Sequence, residues 1–167
     1  ARVSVEIAGA ATHGAIAVAA ASSEGAGDHA HYFDRARSGQ GRLVAALGRA
    51  LLPERTRLAT LRAALRDECL RALEIANLLA MPTTGVPAPA IRRGYAEGGF
   101  DPLLLRALGA YTPLANVTGL PGIAVPCGTD ARGRPLSIMF VGPPGSETRL
   151  LAIAAAVEAT GLGERRV

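Results

Sequence analysis

Lysine is absent from this sequence: all 18 basic side chains among its 167 residues are arginines. No lysine of this chain therefore acts as a base, forms a Schiff base or grips a phosphate, which excludes a P-loop and a Ser-Lys nucleophile pair. Tryptophan is missing too, and aromatics make up only 4%. With 34 alanines and 20 glycines, the core falls to Ala, Leu, Val and Ile, packed through close helix contacts. The net charge of +4 comes from scattered arginines without interleaved aromatic stacking platforms, so a nucleic-acid partner is not expected.

Cysteine is scarce. Cys69 and Cys127 lie far apart, neither in a CxxC pair, and the expectation is reduced, structural thiols in a cytoplasmic protein. Long apolar runs are missing as well: the stretch Ile7 to Ala21 is interrupted by Thr12 and His13 and is too short to span a bilayer. Glu6 and the lack of a basic cluster argue against a signal peptide, so no membrane partner is expected. The sequence opens with Ala1 and holds only two methionines, Met81 and Met139. A trimmed, processed or partial product is the expectation.

What is present reads as one domain over 1–167, mostly helical after a first strand through residue 76, and then strands, a Pro-rich loop, a hairpin and a closing helix over 77–167. Alternation of Val3, Val5 and Ile7 with Arg2, Ser4 and Glu6 predicts the strand. Thr12 is expected to cap an Ala-rich helix that ends near Ser23 at the Gly25 and Gly27 pair. After a polar link from Asp28 to Gly41, Leu43, Leu47, Ala50 and Leu51 predict a short helix with one buried face, stopped by Pro53. From Glu54 to Ala76, Leu58, Leu61, Leu65, Cys69, Ala72 and Ile75 recur at steps of three and four and predict a long helix. Arg62, Arg66 and Arg71 are expected to face water opposite that stripe, with Asp67 placed to pair with Arg71.

Beyond Asn77 a short apolar run predicts a buried strand, which leads into the extended segment holding prolines 82, 87 and 89. A Gly-rich link around Gly98 and Gly99 follows. Asp101 as N-cap and Pro102 at the first helical position start a helix through Leu108. Segments GIAVPCG and PLSIMFVG around TDARGR predict a hairpin, and the all-apolar second strand is expected to be covered on both faces. Ser146 is expected to cap a final helix whose stripe is Leu150, Leu151, Ala154 and Val157. The class is α/β, a mixed β-sheet covered by helices.

Three ordered segments carry a family resemblance. LLAMPTTGVPAP, TPLANVTGLPGIAVPCG, and DARGRPLSIMFVG followed by SETRLLAIAAAVE resemble the C-terminal part of the amidase signature family over about Leu78 to Ala159. The resemblance implies cleavage of carboxamide C–N bonds by a serine nucleophile, with a second serine in a cis peptide and a lysine base, all carried in an N-terminal half. It needs no metal or organic cofactor. The zero lysine count then places this chain in the half without the catalysts. Its partners would be a small-molecule amide and the missing N-terminal half, with a homodimer a further option.

The same resemblance makes Thr112, Pro113, Asn116, Thr118 and Gly119 candidate substrate-binding residues, on a loop expected to be neither helix nor strand. Pro135-Leu136-Ser137-Ile138-Met139 departs from the family's usual hairpin pattern, and Asn77 stands where an aspartate is usual. In the amidotransferase branch an aspartate that helps hold glutamine would fall at Gly109, which favours a general or small-acyl amidase over a glutaminase. A non-catalytic scaffold module retaining part of the fold is the alternative reading.

Other constellations are weaker. Ser22 and Ser23 sit beside Glu24, whose carboxylate opposes a developing oxyanion, and they are expected to bond helix carbonyls. Asp28, His29, His31 and Asp34 form a set of metal-capable donors in a polar link, which reads first as a plain connection. His13 reads as a surface or satisfied residue, and Cys69 as an inert buried thiol.

Overall fold

A computed structural model describes residues 3–28, 31, 39–90 and 101–162. Six helices are described: α1 (His13–Asp28), α2 (Gly39–Leu51), α3 (Arg55–Ile75), α4 (Pro102–Leu108), α5 (Pro113–Thr118) and α6 (Glu147–Glu158). Short 3-10 turns cover Ala8–Ala11 and Leu52–Glu54. The strands β1 (Leu79–Pro82), β2 (Gly122–Thr129) and β3 (Pro135–Val141) form one sheet in the order β1-β3-β2, antiparallel throughout.

The hairpin forms where its turn residues require it. Gly133 adopts φ 73°, a region open to glycine, and Asp130 Oδ1 accepts the Arg132 and Arg134 amides, both at 2.9 Å. In β3, Met139 and Val141 are buried; Val141 pairs with Gly122 on one side and Leu79 on the other. A bulge at Cys127 shifts the register between Pro126 and Gly128.

One side of the sheet meets α1, α3 and α5. Ile16, Leu65, Cys69, Ala72, Leu79, Leu114, Val117, Leu120, Met139 and Val141 make a continuous core there. Val125, paired with Ile138, belongs to the opposite face and is 1% exposed beneath α6, which packs on β2 through Leu150 and Ala154. The rest of that face is less covered than expected, with Leu136 37% exposed and Ile138 and Phe140 half-buried. On α6, Leu151 faces out and Ser146 supplies no side-chain cap.

The helical half departs further from expectation. Val3 to Ile7 is extended but belongs to no strand, so the first strand is corrected to a single segment laid across α3. Its alternation arises because Val5 and Ile7 pack on the core, and the chain is anchored where the Gly9 amide donates to Glu68 Oε2 at 2.9 Å. Thr12 Oγ1 donates back to Gly9 O instead of capping α1. That helix runs on to Asp28, past Gly25 and Gly27, because Ala26 is buried against α2. Tertiary packing outweighs the glycines' intrinsic cost of about 1 kcal/mol each.

On α2, Ala45 and Gly48 are buried, while Leu43 is 68% exposed and Leu47 38%. A Cβ on Gly48 would collide with the Ser22 carbonyl oxygen. The two backbones approach so closely that only a small residue fits between them, and the leucines are turned outward. On α3, Leu58, Leu65, Cys69 and Ala72 are buried as expected, but Leu61 and Ile75 are exposed. No described helix is long and apolar enough to cross a membrane.

Candidate functional site

β1 delivers the chain to the place where the candidate residues gather. Past Pro82 the Thr83 amide continues the ladder to Ser137 O at 3.1 Å. The Gly85 amide then donates to Ala107 O at 3.0 Å at the end of α4. A Cβ at Gly85 would stand 2.5 Å from that same oxygen, so the contact needs a glycine. Helix α4 starts as its sequence dictates: Asp101 Oδ1 accepts the amides of Leu103 and Leu104, and Pro102 follows. The loop is held from the hairpin too, where Arg134 donates to Ala88 O at 3.1 Å while paired with Asp130. That pairing keeps the Asp130 carboxyl below its usual pKa, chiefly through the Arg134 side-chain hydrogen bond.

Thr112 Oγ1 donates to Thr83 O at 2.6 Å and so ties the Pro-Thr-Thr loop to the start of α5. The expected irregular loop over Thr112 to Gly119 is corrected here to a helix. Pro113 opens it with a preset φ, and Gly119 closes it at φ 63°. Thr112 and Asn116 are exposed, Pro113 is half-buried, and Gly119 is at the surface. Thr118 points inward at 3% exposure and bonds its own helix at Leu114 O, 2.7 Å. Its hydroxyl is committed to the helix, whereas Thr112 and Asn116 remain on the open side.

Two further residues belong to this corner without having been singled out as site residues from sequence. Thr83 Oγ1 is enclosed without a hydrogen-bond partner among the described residues, and Thr84 Oγ1 donates to Val86 O. Both lie in the Pro-Thr-Thr signal, which the sequence displays. Arg62 and Arg66 also reach α5, from 55 and 52 residues away, and no local pattern announces that.

Other chemistry-bearing groups do not converge here. Ser22 and Ser23 are 5% and 1% exposed inside α1, and Ser23 Oγ donates to Ala20 O. Glu24 pairs with Arg62 at 2.7 Å. His13 is buried at the start of α1. Burial, then Glu68, pushes the Cys69 thiol up to about 11, which keeps it protonated and unreactive at neutral pH. Of the metal-capable set, His29 and Asp34 lie outside the described residues, and Asp28 faces Arg55 at 4.0 Å. An open groove of about 580 Å³ runs between the extended segment at Val3, Val5 and Glu6 and the end of α3 at Glu68, Arg71 and Ile75. It contains none of the candidate residues.

The family model described as Amidase matches residues 34–151, about seven-tenths of the sequence. The chain belongs to the amidase family. It is 38% identical over 97 residues to a glutamyl-tRNA(Gln) amidotransferase subunit of Myxococcus xanthus, covering 58% of this chain and 19% of that protein. A fatty acid amide hydrolase of Oryza sativa subsp. indica is 35% identical over 91 residues, 54% of this chain and 15% of that protein. The fold resembles the crystal structure of the corresponding glutamyl-tRNA(Gln) amidotransferase subunit from Thermotoga maritima with TM-score 0.71 and 23% identity, covering 98% of this chain and 37% of that one. The chain thus spans about a fifth of the length of the curated relatives it matches, and just over a third of the solved chain.

Proposed function

We propose that this amidase-family chain is the C-terminal portion of a hydrolase that cleaves carboxamide C–N bonds, and that it supplies scaffold and one wall of the acyl pocket. The observation that carries the reading is the family match over 34–151 in a sequence with no lysine. The implied chemistry is attack of a serine hydroxyl on the amide carbonyl, departure of the protonated amine and hydrolysis of the acyl-serine by water. Both serines and the lysine base would come from residues outside this sequence. Burial of Ser22 and Ser23 within α1 supports assigning the nucleophile elsewhere.

In this reading Thr112 and Asn116 form the part of the wall open to substrate, with Pro113 and Gly119 shaping the ends of α5 and Thr118 locking it from inside. Gly109, at the end of α4, offers no carboxylate to hold a glutamine, which favours a general or small-acyl amidase. The partners are a small-molecule amide and the catalytic half of the domain, in the cytoplasm. No cofactor is required.

The isolated 167-residue chain is expected to hydrolyse no simple aliphatic or aromatic amide, and to gain turnover when combined with an amidase N-terminal portion bearing the serines and lysine. Turnover by the chain alone, abolished by Ser22→Ala or Ser23→Ala, would overturn the assignment. An inactive combination that nonetheless assembles favours the scaffold-module alternative.

A further inference from the structure

Arg62 and Arg66 stand one turn apart on α3 and both reach the last turn of α5. Arg62 donates from Nε to Val117 O at 3.2 Å and from Nη1 to Glu24 Oε1 of α1 at 2.7 Å. Arg66 donates from Nη1 to Thr118 O. Carbonyls in the last turn of a helix have no intrahelical donors, and a cation suits that end electrostatically. At the other end of α5, Thr112 is tied to Thr83 O. Leu114 and Val117 anchor the inner face, at 3% and 5% exposure.

A helix of six residues does not keep its geometry in water unaided, so these ties set its orientation. We infer that Arg62 and Arg66 are positioning residues: they clamp the C-terminal turn of α5 and thereby fix how Thr112 and Asn116 are presented on the open side of the site. The guanidinium fork matters. Arg62 serves a carbonyl of α5 and a carboxylate of α1 at once, which an ammonium on a flexible stem does not reproduce with the same geometry. That these residues face an amide substrate rests on the function proposed above; the clamp itself does not.

Amide hydrogen exchange on the full 167-residue chain tests the clamp. In R62A and R66A the amides of residues 115–119 are expected to exchange about tenfold faster, while those of β2 and β3 stay unchanged. R62K should recover part of the protection. Unchanged exchange over 115–119, or acceleration spread equally into the hairpin, overturns the proposal.

The positioning role is read in the combined enzyme with a small aliphatic amide. R62A should raise KM about tenfold and leave kcat within about twofold, because the wall binds substrate and does not react, and R62K should lie between. A fall in kcat with KM unchanged overturns that role. If the wild-type combination turns over nothing, the amidase reading falls and the exchange experiment alone decides the clamp.

Discussion

The two halves of the molecule bury their apolar residues by different rules. From residue 77 onward, strand register and turn chemistry decide which side chains go inside: Val141 is opposite Gly122 and Leu79, and both its neighbours in the ladder hold it in the core. Before residue 77 the decision belongs to helix–helix distance. Where α1 and α2 approach at Ser22 and Gly48, the smallest residues are selected for the interface and Leu43 and Leu47 are left outside. A leucine at helical spacing marks a core only when the partner helix stands far enough away to admit it.

Substitutions separate the two rules. Leu65, 3% exposed at the centre of the core, is expected to cost about 2–5 kcal/mol when changed to Ala, measured by denaturant unfolding. Gly48→Val would drive its Cβ into Ser22 O and to 2.8 Å from Ala26 Cβ. We expect a loss of about 1–3 kcal/mol; full retention of stability would break the close-approach account of α2.

The hairpin carries a pH dependence of its own. Asp130 has a folded pKa below its ordinary value because of Arg134, so its contribution is fully present above the unfolded carboxyl pKa of about 4. That contribution drains away as pH falls through the lower folded value. Asp130→Asn should therefore flatten the acid limb of a thermal-melting series between about pH 5 and pH 2. The smallest effect is expected at Leu43, where exchange to Ser should alter stability by less than about 0.5 kcal/mol. It should, however, reduce binding of an apolar dye, since the residue is 68% exposed.

The corner around α5 was legible in part. The Pro-Thr-Thr, Thr-Pro-Leu-Ala-Asn and hairpin segments point to the family without any coordinates, and Asp101-Pro102 announces the start of α4 correctly. The pattern did not reveal that Thr112 to Gly119 closes into a helix, since a Pro, an Asn and two Thr in eight residues favour irregular backbone. The helix exists because buried Leu114 and Val117 and two distant arginines hold it. Arg62 and Arg66 looked solvated because their partners on α5 lie more than fifty residues away along the chain.

By itself, then, the sequence determined which elements the hairpin region forms, the family of the chain, and the exclusion of any catalytic lysine, because turn residues, strand alternation and composition are local properties. Only the tertiary structure decided that Val3 to Ile7 pairs with no described strand, that α1 outlasts its glycines, that α2 buries Ala45 and Gly48 in place of Leu43 and Leu47, and that guanidinium groups finish α5. Each of those outcomes depends on the distance between segments remote in sequence, and spacing along one segment carries no record of that distance.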